Sequence, residues 1–331
     1  MPNLLISYQE MQDSQSEHVK RIREAGFEIT VPENPDFCKG LCDEQETIRT
    51  LNNVSAVIAW GEHYSANVLR SLPHLRVVAR AGVGFDCVAV PVASECGIAV
   101  TITPNANHQA VAEHALALMF SAAKQIIPAD RAMHQGHWPR VNMKPLRDRT
   151  LGIVGLGRIG KSLATRASAL NMHLVATEPQ PDLEFVKQWN IELLDLESLI
   201  RRSDYVSLHV PLSEETHGLL HKDLFSKMKP GSVLINTSRG GLIVEKDLVD
   251  ALQQGPLEMA ALDVFEEEPT DPDNPILEME NAILTPHVAG DDGLSVQQMA
   301  MEATECILEL QQNRWPRYAV VNQDLEERWQ W

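Results

Sequence analysis

The stretch Thr150–Lys161, TLGIVGLGRIGK, decides the fold. It predicts a short apolar strand over Leu151–Val154, a glycine-rich turn and then a helix. In its G-x-G-x-x-G spacing, Gly155 permits a tight turn, Gly157 lets a pyrophosphate approach the backbone, and Gly160 lets the helix pack closely on the strand. The free N–H groups at the start of such a helix favour a bound phosphate.

The residues that follow give the glycine turn its context. A helix is predicted over Lys161–Leu170 and a strand over His173–Thr177, which ends at Glu178. Glu178 lies 178 − 160 = 18 residues beyond the last glycine, near the ~20 expected for a ribose-binding acid. A carboxylate accepts hydrogen bonds from ribose hydroxyls and repels a 2′-phosphate. The sequence therefore predicts a dinucleotide site that prefers NAD over NADP. A turn without a ligand and a solvated strand-end acid are the alternatives.

Length and charge restrict the class of protein. The 331 residues predict two domains, and the formal net charge of −18 argues against nucleic-acid binding and against docking on anionic membranes. The first ten residues lack the basic region of a signal peptide, and the longest apolar stretch is too short to cross a bilayer. The five irregularly spaced cysteines predict reduced thiols in a cytoplasmic protein. We predict no metal site.

Residues 3–103 alternate apolar strands with polar-faced helices, which predicts a parallel sheet with helices on both faces. A second alternation, from Thr150 onwards, predicts a doubly wound sheet. Within the first, the turn RAGVGFD begins at Arg80, and the N–H groups of Gly82, Val83 and Gly84 are positioned to bind an anion. A plain turn between a strand and a helix explains the same spacing equally well.

The connection between the two alternations has two parts. A helix over Gln109–Lys124 is apolar almost all round, which predicts burial between domains or between subunits. The polar segment Pro128–Arg149 predicts an extended arm carrying Trp138. Contact of this arm with a partner subunit and folding back on its own domain explain the pattern equally well.

Ligands of an open parallel sheet bind outside the carboxyl ends of its strands. Polar or special residues follow the predicted strands of the second sheet at that edge: Pro211, Arg239, Asp263, Glu268 and His287. Each alone has an ordinary structural explanation. Together they indicate a site in which an arginine, an acid and a histidine converge.

Five ordered blocks carry a family resemblance: GLGRIG (155–160), SDYVSLHVPL (203–212), NTSRGG (236–241), ALDVFEEEP (261–269) and TPHVAG (285–290). With RAGVGFD (80–86) and VAEHALALM (111–119), they make the chain resemble the D-isomer-specific 2-hydroxyacid dehydrogenases, in their phosphoglycerate dehydrogenase-like branch. The resemblance implies a Rossmann NAD-binding domain over residues 104–290. This domain would be inserted into a flavodoxin-like α/β substrate domain made of residues 1–103 and 291–331. It also implies a homodimer formed through the NAD-binding domain.

The resemblance implies roles for particular residues. Arg239 would bind the substrate carboxylate, His287 would be the acid/base and Glu268 its partner, while Asp263 would hold the nicotinamide amide. The substrate would also meet Arg80 and the turn Gly82–Gly84. The cofactor contacts would come from nine residues: Gly155, Gly157, Arg158, Ile159, Gly160, Glu178, Pro211, Thr237 and Asp263.

The predicted activity is hydride transfer between NAD and a small D-2-hydroxy acid or 2-keto acid. Two alternatives stay open: a phosphoglycerate dehydrogenase proper, and an NAD-sensing binding protein like the corepressors built on this fold. Phosphoglycerate enzymes typically carry a basic residue after the third strand, where this chain has Trp60 and Glu62. We expect that acid to disfavour a phosphorylated substrate.

Overall fold

The computed structural model describes all 331 residues, which form two compact units. Its twelve strands are β1 Asn3–Ile6, β2 Glu28–Thr30, β3 Ala56–Ala59, β4 Val77–Arg80, β5 Ala99–Thr101, β6 Thr150–Val154, β7 His173–Thr177, β8 Glu192–Leu193, β9 Tyr205–Leu208, β10 Ser232–Asn236, β11 Leu257–Leu262 and β12 Ala282–Leu284. Its twelve α-helices are α1 Glu17–Glu24, α2 Glu44–Leu51, α3 Ala66–Arg70, α4 Val90–Glu95, α5 His108–Lys124, α6 Ile126–His134, α7 Arg158–Ala169, α8 Leu183–Gln188, α9 Leu196–Arg202, α10 Lys222–Phe225, α11 Glu245–Gln253 and α12 Gly293–Gln311. None of the helices has the length and apolar character needed to span a bilayer.

The first unit comprises Met1–Asn107 and Asp291–Trp331. Its five parallel strands lie in the order β2-β1-β3-β4-β5, which is the flavodoxin-like arrangement. Every residue of β3 is buried, as expected for an inner strand covered by helices on both faces. The predicted class of this part of the chain is confirmed.

The C-terminal segment completes the first unit. Apolar residues of α12, including Met299 and Ile307, share a core with Ile58 of β3 and Ala79 of β4. Beyond α12, the buried side chain of Asn322 joins the chain to the edge strand β5. Its Oδ1 accepts from the N–H of Val100 at 2.9 Å. Its Nδ2 donates to the carbonyl of Ile98, also at 2.9 Å.

The second unit comprises His108–Gly290. Its seven parallel strands lie in the order β12-β11-β10-β9-β6-β7-β8. Counted from its own first strand, this is the 3-2-1-4-5-6 order of dinucleotide-binding domains with a seventh strand added at one edge. The order in which successive strands are added reverses between β6 and β9, and the glycine turn follows β6 at that point. The doubly wound sheet predicted from the sequence is confirmed.

Three local predictions differ from the structure. The glycine-turn helix α7 begins at Arg158, not at Lys161, so Arg158, Ile159 and Gly160 belong to its first turn. The first residues of the predicted arm are helical and belong to α6. Pro128 does not prevent this, because it lies in the first turn of the helix, where no intrahelical N–H bond is lost. The first boundary between the units falls after Asn107, not after residue 103.

Replacing Asn322 by alanine should destabilise the first unit. The N–H of Val100 and the carbonyl of Ile98 would be left buried without partners, which costs about 2–4 kcal/mol in the free energy of unfolding. Urea unfolding followed by circular dichroism measures the loss. Exposed Asn52, replaced by alanine in the same way, should change stability by less than about 0.5 kcal/mol. Equal effects of the two substitutions would show that the C-terminal segment does not depend on Asn322.

Candidate active site

The glycine turn after β6 has the steric form that its sequence predicts. A Cβ on Gly160 would lie 2.1 Å from the carbonyl oxygen of Gly155, and a Cβ on Gly155 would lie 2.7 Å from that of His209. Both positions therefore require glycine. Gly157 is the N-cap of α7, and a Cβ there would meet nothing within 4 Å. The space beside Gly157, at the positive end of a helix, fits a pyrophosphate group.

Glu178 lies beside this turn because β7 pairs with β6, with Thr177 opposite Val154. One carboxylate oxygen accepts from the N–H of Leu156 at 2.9 Å, and the other accepts from that of Gln180 at 3.2 Å. A carboxylate has about four acceptor positions. These contacts leave acceptor capacity for two ribose hydroxyls.

The remaining predicted cofactor residues differ in exposure. Arg158 is exposed and Ile159 half-buried in the first turn of α7, and Pro211 is exposed three residues after β9. Thr237, directly after β10, is buried, and its hydroxyl oxygen has no hydrogen-bond partner within the chain. A buried hydroxyl without a partner is uncommon. It fits a polar group of a bound dinucleotide.

The loop after β10 is shaped by its own side chains. Asn236 donates to the carbonyl of Arg239 at 2.8 Å and accepts from the N–H of Ser238 at 3.0 Å. Arg239 Nη1 donates to the carbonyl of Ser238 at 2.7 Å. A Cβ on the next residue, Gly240, would lie 1.8 Å from the carbonyl group of Phe265. This glycine therefore allows the Arg239 loop to pack directly on the loop that follows β11 and leads to Glu268.

Glu268 and His287 are in direct contact. The distance between Glu268 Oε2 and His287 Nδ1 is 2.6 Å, and Glu268 Oε1 accepts from the N–H of Phe265 at 2.9 Å. About half of the His287 side chain, 48%, is exposed. The structure thus brings together the predicted acid and histidine. With Nδ1 engaged, Nε2 is the ring nitrogen left to exchange a proton with a ligand.

Opposing influences set the protonation of this pair. Burial, the largest influence, lowers the pKa of His287, but the hydrogen bond and charge of Glu268 outweigh it, and the net effect raises that pKa above its usual value. Arg239 opposes the rise, so its charge reaches the imidazole. Burial likewise works to raise the pKa of Glu268, yet the bond and charge of His287 lower it overall. The contact therefore favours the protonated imidazole and the ionised carboxylate.

The backbone of His287 is held in an uncommon conformation. Its φ is +54°, in the left-handed region that non-glycine residues rarely adopt. The carbonyl of Asp263 accepts from its N–H at 2.8 Å. The carboxylate of Asp263 accepts from the next two N–H groups, those of Val288 at 3.0 Å and Ala289 at 2.9 Å.

Asp263 shows what sequence reasoning missed. The resemblance assigns it to the nicotinamide amide, and that role stays a prediction. In the structure its side chain has no exposed surface. Its carboxylate accepts hydrogen bonds from Thr285, Val288 and Ala289, the residues on either side of His287. The available signal was an acid placed directly after an apolar strand, where a buried carboxylate must find donors.

The predicted anion-binding turn lies in the first unit. Gly82 has a φ of +147°, and its N–H donates to Thr103 Oγ1 at 2.8 Å, so this donor is already used. The N–H groups of Val83 and Gly84 make no bond within the chain. Arg80 Nε donates to the carbonyl of Gly84 at 3.2 Å, and Arg80 Nη1 is buried without a partner. Two backbone donors and one guanidinium nitrogen therefore remain for an anion.

The expectation that Glu62 faces a ligand is wrong. Its side chain is buried and accepts from Ser7 Oγ at 2.7 Å, Tyr64 Oη at 2.8 Å and the N–H of Trp60 at 3.1 Å. Burial raises its pKa, and Arg80 opposes the rise. Trp60 itself stacks on Tyr8 with ring centroids 4.1 Å apart. Because Glu62 points inward, it gives no argument against a phosphorylated ligand.

Known proteins resemble the chain over nearly its whole length. Residues 116–289 match the family model described as D-isomer specific 2-hydroxyacid dehydrogenase, NAD binding domain. A D-3-phosphoglycerate dehydrogenase of Archaeoglobus fulgidus is 36% identical over 92% of this chain, which spans 57% of that relative's length. A glyoxylate reductase of Korarchaeum cryptofilum is 38% identical over 78% of this chain and 80% of the length of the reductase.

Solved structures give the same result. The TT0316 protein of Thermus thermophilus superposes with a TM-score of 0.84 at 31% identity, covering 96% of this chain and 99% of its own. An acyclic imino acid reductase in complex with NADPH and D-Arg has the same TM-score, 0.84, at 28% identity, over 97% of this chain and 100% of its own. The chain therefore belongs to the D-isomer-specific 2-hydroxyacid dehydrogenase family.

Proposed function

We propose that this protein is an NAD-dependent dehydrogenase that interconverts a small 2-keto acid and the corresponding D-2-hydroxy acid. The observation that carries the proposal is the 2.6 Å contact between His287 and Glu268, on loops beside that of Arg239. These loops follow strands of a dinucleotide-type sheet at the edge where such sheets bind ligands. Family membership and the names of the relatives support the same reaction class.

In this proposal, the glycine turn would hold the cofactor. Its pyrophosphate would be bound by Gly155, Gly157, Gly160 and the first turn of α7, with Arg158 and Ile159, and Glu178 would accept from a ribose. Pro211 and Thr237 would complete the contacts, and the buried Asp263 would act on the site through the His287 segment that it holds. The chemistry that NAD supplies when bound is hydride transfer to or from a carbon atom.

The side chains of the site supply the rest of the reaction. The planar guanidinium of Arg239 binds the substrate carboxylate and polarises the adjacent carbonyl. As the carbonyl carbon gains a hydride, its oxygen gains the proton held on His287 Nε2; the reverse reaction returns that proton. Glu268 keeps Nδ1 engaged and so orients the ring. In the first unit, Arg80 and the free N–H groups of Val83 and Gly84 offer a separate site for an anion.

Turnover of a panel of 2-keto acids tests the proposal. Glyoxylate, pyruvate, hydroxypyruvate and phosphohydroxypyruvate, each with NADH, should include at least one good substrate. Changing His287 to alanine should lower kcat by about 10²–10⁴-fold, because the proton donor is lost. Changing His173 to alanine should leave kcat unaltered, because this exposed histidine begins β7, at the end of the strand away from Glu178. A marked preference for phosphohydroxypyruvate would identify a phosphoglycerate dehydrogenase proper.

Binding of NADH without turnover of any 2-keto acid would contradict the proposal. In that case the protein is an NAD-sensing binding protein, and its assembly state should change with NADH. Sedimentation velocity with and without NADH, beside the turnover assay, separates the two outcomes, because a sensor needs the change of assembly and no acid/base.

Glu178 should set the choice of cofactor. NADH is expected to give a higher kcat/KM than NADPH, because the carboxylate repels a 2′-phosphate. The substitution Glu178→Gln keeps an acceptor for the N–H of Leu156 but removes the charge. It should lower the ratio of kcat/KM for NADH to kcat/KM for NADPH on the order of tenfold. Glu184→Gln, on exposed α8, is the matched control. The NADPH complex of a structural neighbour shows that members of this fold also bind NADPH. Equal use of both cofactors by the wild type would refute the role of Glu178.

We further propose a homodimer formed through the second unit. None of the residues of α6 is buried, and it exposes Ile126, Ile127 and Met133, while Trp138 on the following segment is 80% exposed. Four large apolar side chains exposed within residues 126–138 indicate a protein partner. Sedimentation velocity should find a dimer that Ile127→Glu with Met133→Glu converts to monomer. Leu183→Glu, at an exposed apolar position on α8, should not. A monomeric wild type would rule out the dimer.

A further inference from the structure

The segment that carries His287 is attached to a single buried residue. Asp263 Oδ1 accepts from Thr285 Oγ1 at 2.5 Å and from the N–H of Val288 at 3.0 Å, while Oδ2 accepts from the N–H of Ala289 at 2.9 Å. The Asp263 carbonyl accepts from the N–H of His287 itself. Three consecutive peptide groups and one hydroxyl therefore converge on Asp263. The left-handed backbone of His287 depends on them, since such a conformation persists only where its surroundings fix it.

His114 extends this network to a helix. It lies on α5, between buried Ala112 and Ala115, and its Nε2 is 3.0 Å from Thr285 Oγ1 and 3.6 Å from Asp263 Oδ1. The hydroxyl of Thr285 has one hydrogen, which it uses on Asp263. It therefore accepts from His114, and we assign the His114 hydrogen to Nε2 on this basis. The bonds run in one direction, from His114 to Thr285 to Asp263.

Neither partner of His114 touches a reacting group. Asp263 has no exposed surface, and Thr285 stands two residues before His287 in the chain. The effect of His114 on the imidazole therefore passes through Asp263 and the segment that Asp263 holds. α5 is a suitable anchor, because eight of its residues are buried, among them Leu118 and Met119 in the core of the second unit.

We propose that His114 is a positioning residue for His287, acting through Thr285 and Asp263 to fix residues 285–289. This inference rests on the proposed function only in naming His287 as the acid/base. Without the His114 donor, Thr285 loses one bond and the Asp263 carboxylate loses a polar neighbour 3.6 Å away. The segment then opens more often, and Nε2 of His287 spends less time where a proton is to be delivered.

Hydrogen exchange measured by mass spectrometry tests the structural half of the proposal without any substrate. In His114→Leu, the amides of His287, Val288 and Ala289 should exchange about five- to tenfold faster than in the wild type, the effect of losing one hydrogen bond that holds them. His114→Gln keeps a side-chain N–H near the Nε2 position and should restore slow exchange. Thr285→Val, which keeps the side-chain shape, should reproduce the effect of His114→Leu.

Steady-state kinetics tests the functional half. His114→Leu should lower kcat for 2-keto acid reduction about ten- to hundredfold, since small misplacements of a catalytic group have effects of that size. The KM for NADH should stay the same, and His114→Gln should restore kcat. His173→Leu, an exposed histidine of the same unit, should alter neither exchange nor kcat.

Wild-type exchange and wild-type kcat in His114→Leu would overturn the proposal. So would an equal loss in His114→Leu and His114→Gln, because that result would show a packing effect without a role for the donor. If the wild type reduces no 2-keto acid, the proposed function fails, and the exchange measurement still decides whether His114 fixes the segment.

Discussion

The hydrogen-bonded pair of Glu268 and His287 is the interaction on which the candidate site depends. Both groups are partly withdrawn from water, and burial alone would make each of them neutral. Their mutual charge and a 2.6 Å bond reverse that tendency, so the pKa of His287 rises while that of Glu268 falls. Protonation of the imidazole is thereby favoured, and the nitrogen that faces away from Glu268 is the one left to transfer a proton. Arg239 limits the rise of this pKa.

The fold supplies the means to hold this pair in place. Parallel strands β10, β11 and β12 end side by side, and the loops that follow them carry Arg239, Glu268 and His287. Gly240 lets the first two loops approach closely, and Asp263 fixes the third. A sheet of another order would not bring these three loops together. The glycine turn after β6 lies where the strand order of the same sheet reverses, and a dinucleotide is expected at that point.

Much of this arrangement could be predicted from the sequence. The G-x-G-x-x-G spacing, the acid after the next strand and the polar residues after successive strands all have local signatures, because strand ends in a parallel sheet share one edge. The pairing of Glu268 with His287 is implied by the family resemblance, and the contact exists. Helix α6 was missed, because Pro128 and the polar residues around it are equally typical of a loop.

Other features have no local signature. The sequence around Glu62 is typical of an exposed acid. In the structure, Ser7, Tyr64 and the backbone of Trp60 donate to its buried carboxylate, and no local pattern predicts these contacts. The bond between His114 and Thr285 joins residues 171 positions apart. A histidine on an apolar helix is more often an ordinary buried residue than a member of a network. Such long-range polar contacts are set by packing, which only the folded chain defines.

The coupling of His287 to Glu268 is measured by the pH dependence of kcat/KM for 2-keto acid reduction, compared between the wild type and Glu268→Gln. Reduction needs His287 protonated, so the rate should be constant at low pH and fall as the pH rises through the pKa of His287. Because Glu268 raises that pKa above the ordinary 6.5, the fall in the wild type should lie above this value. In Glu268→Gln the influences of burial and Arg239 remain, and the fall should move to lower pH. A fall at the same pH in both proteins would contradict the account.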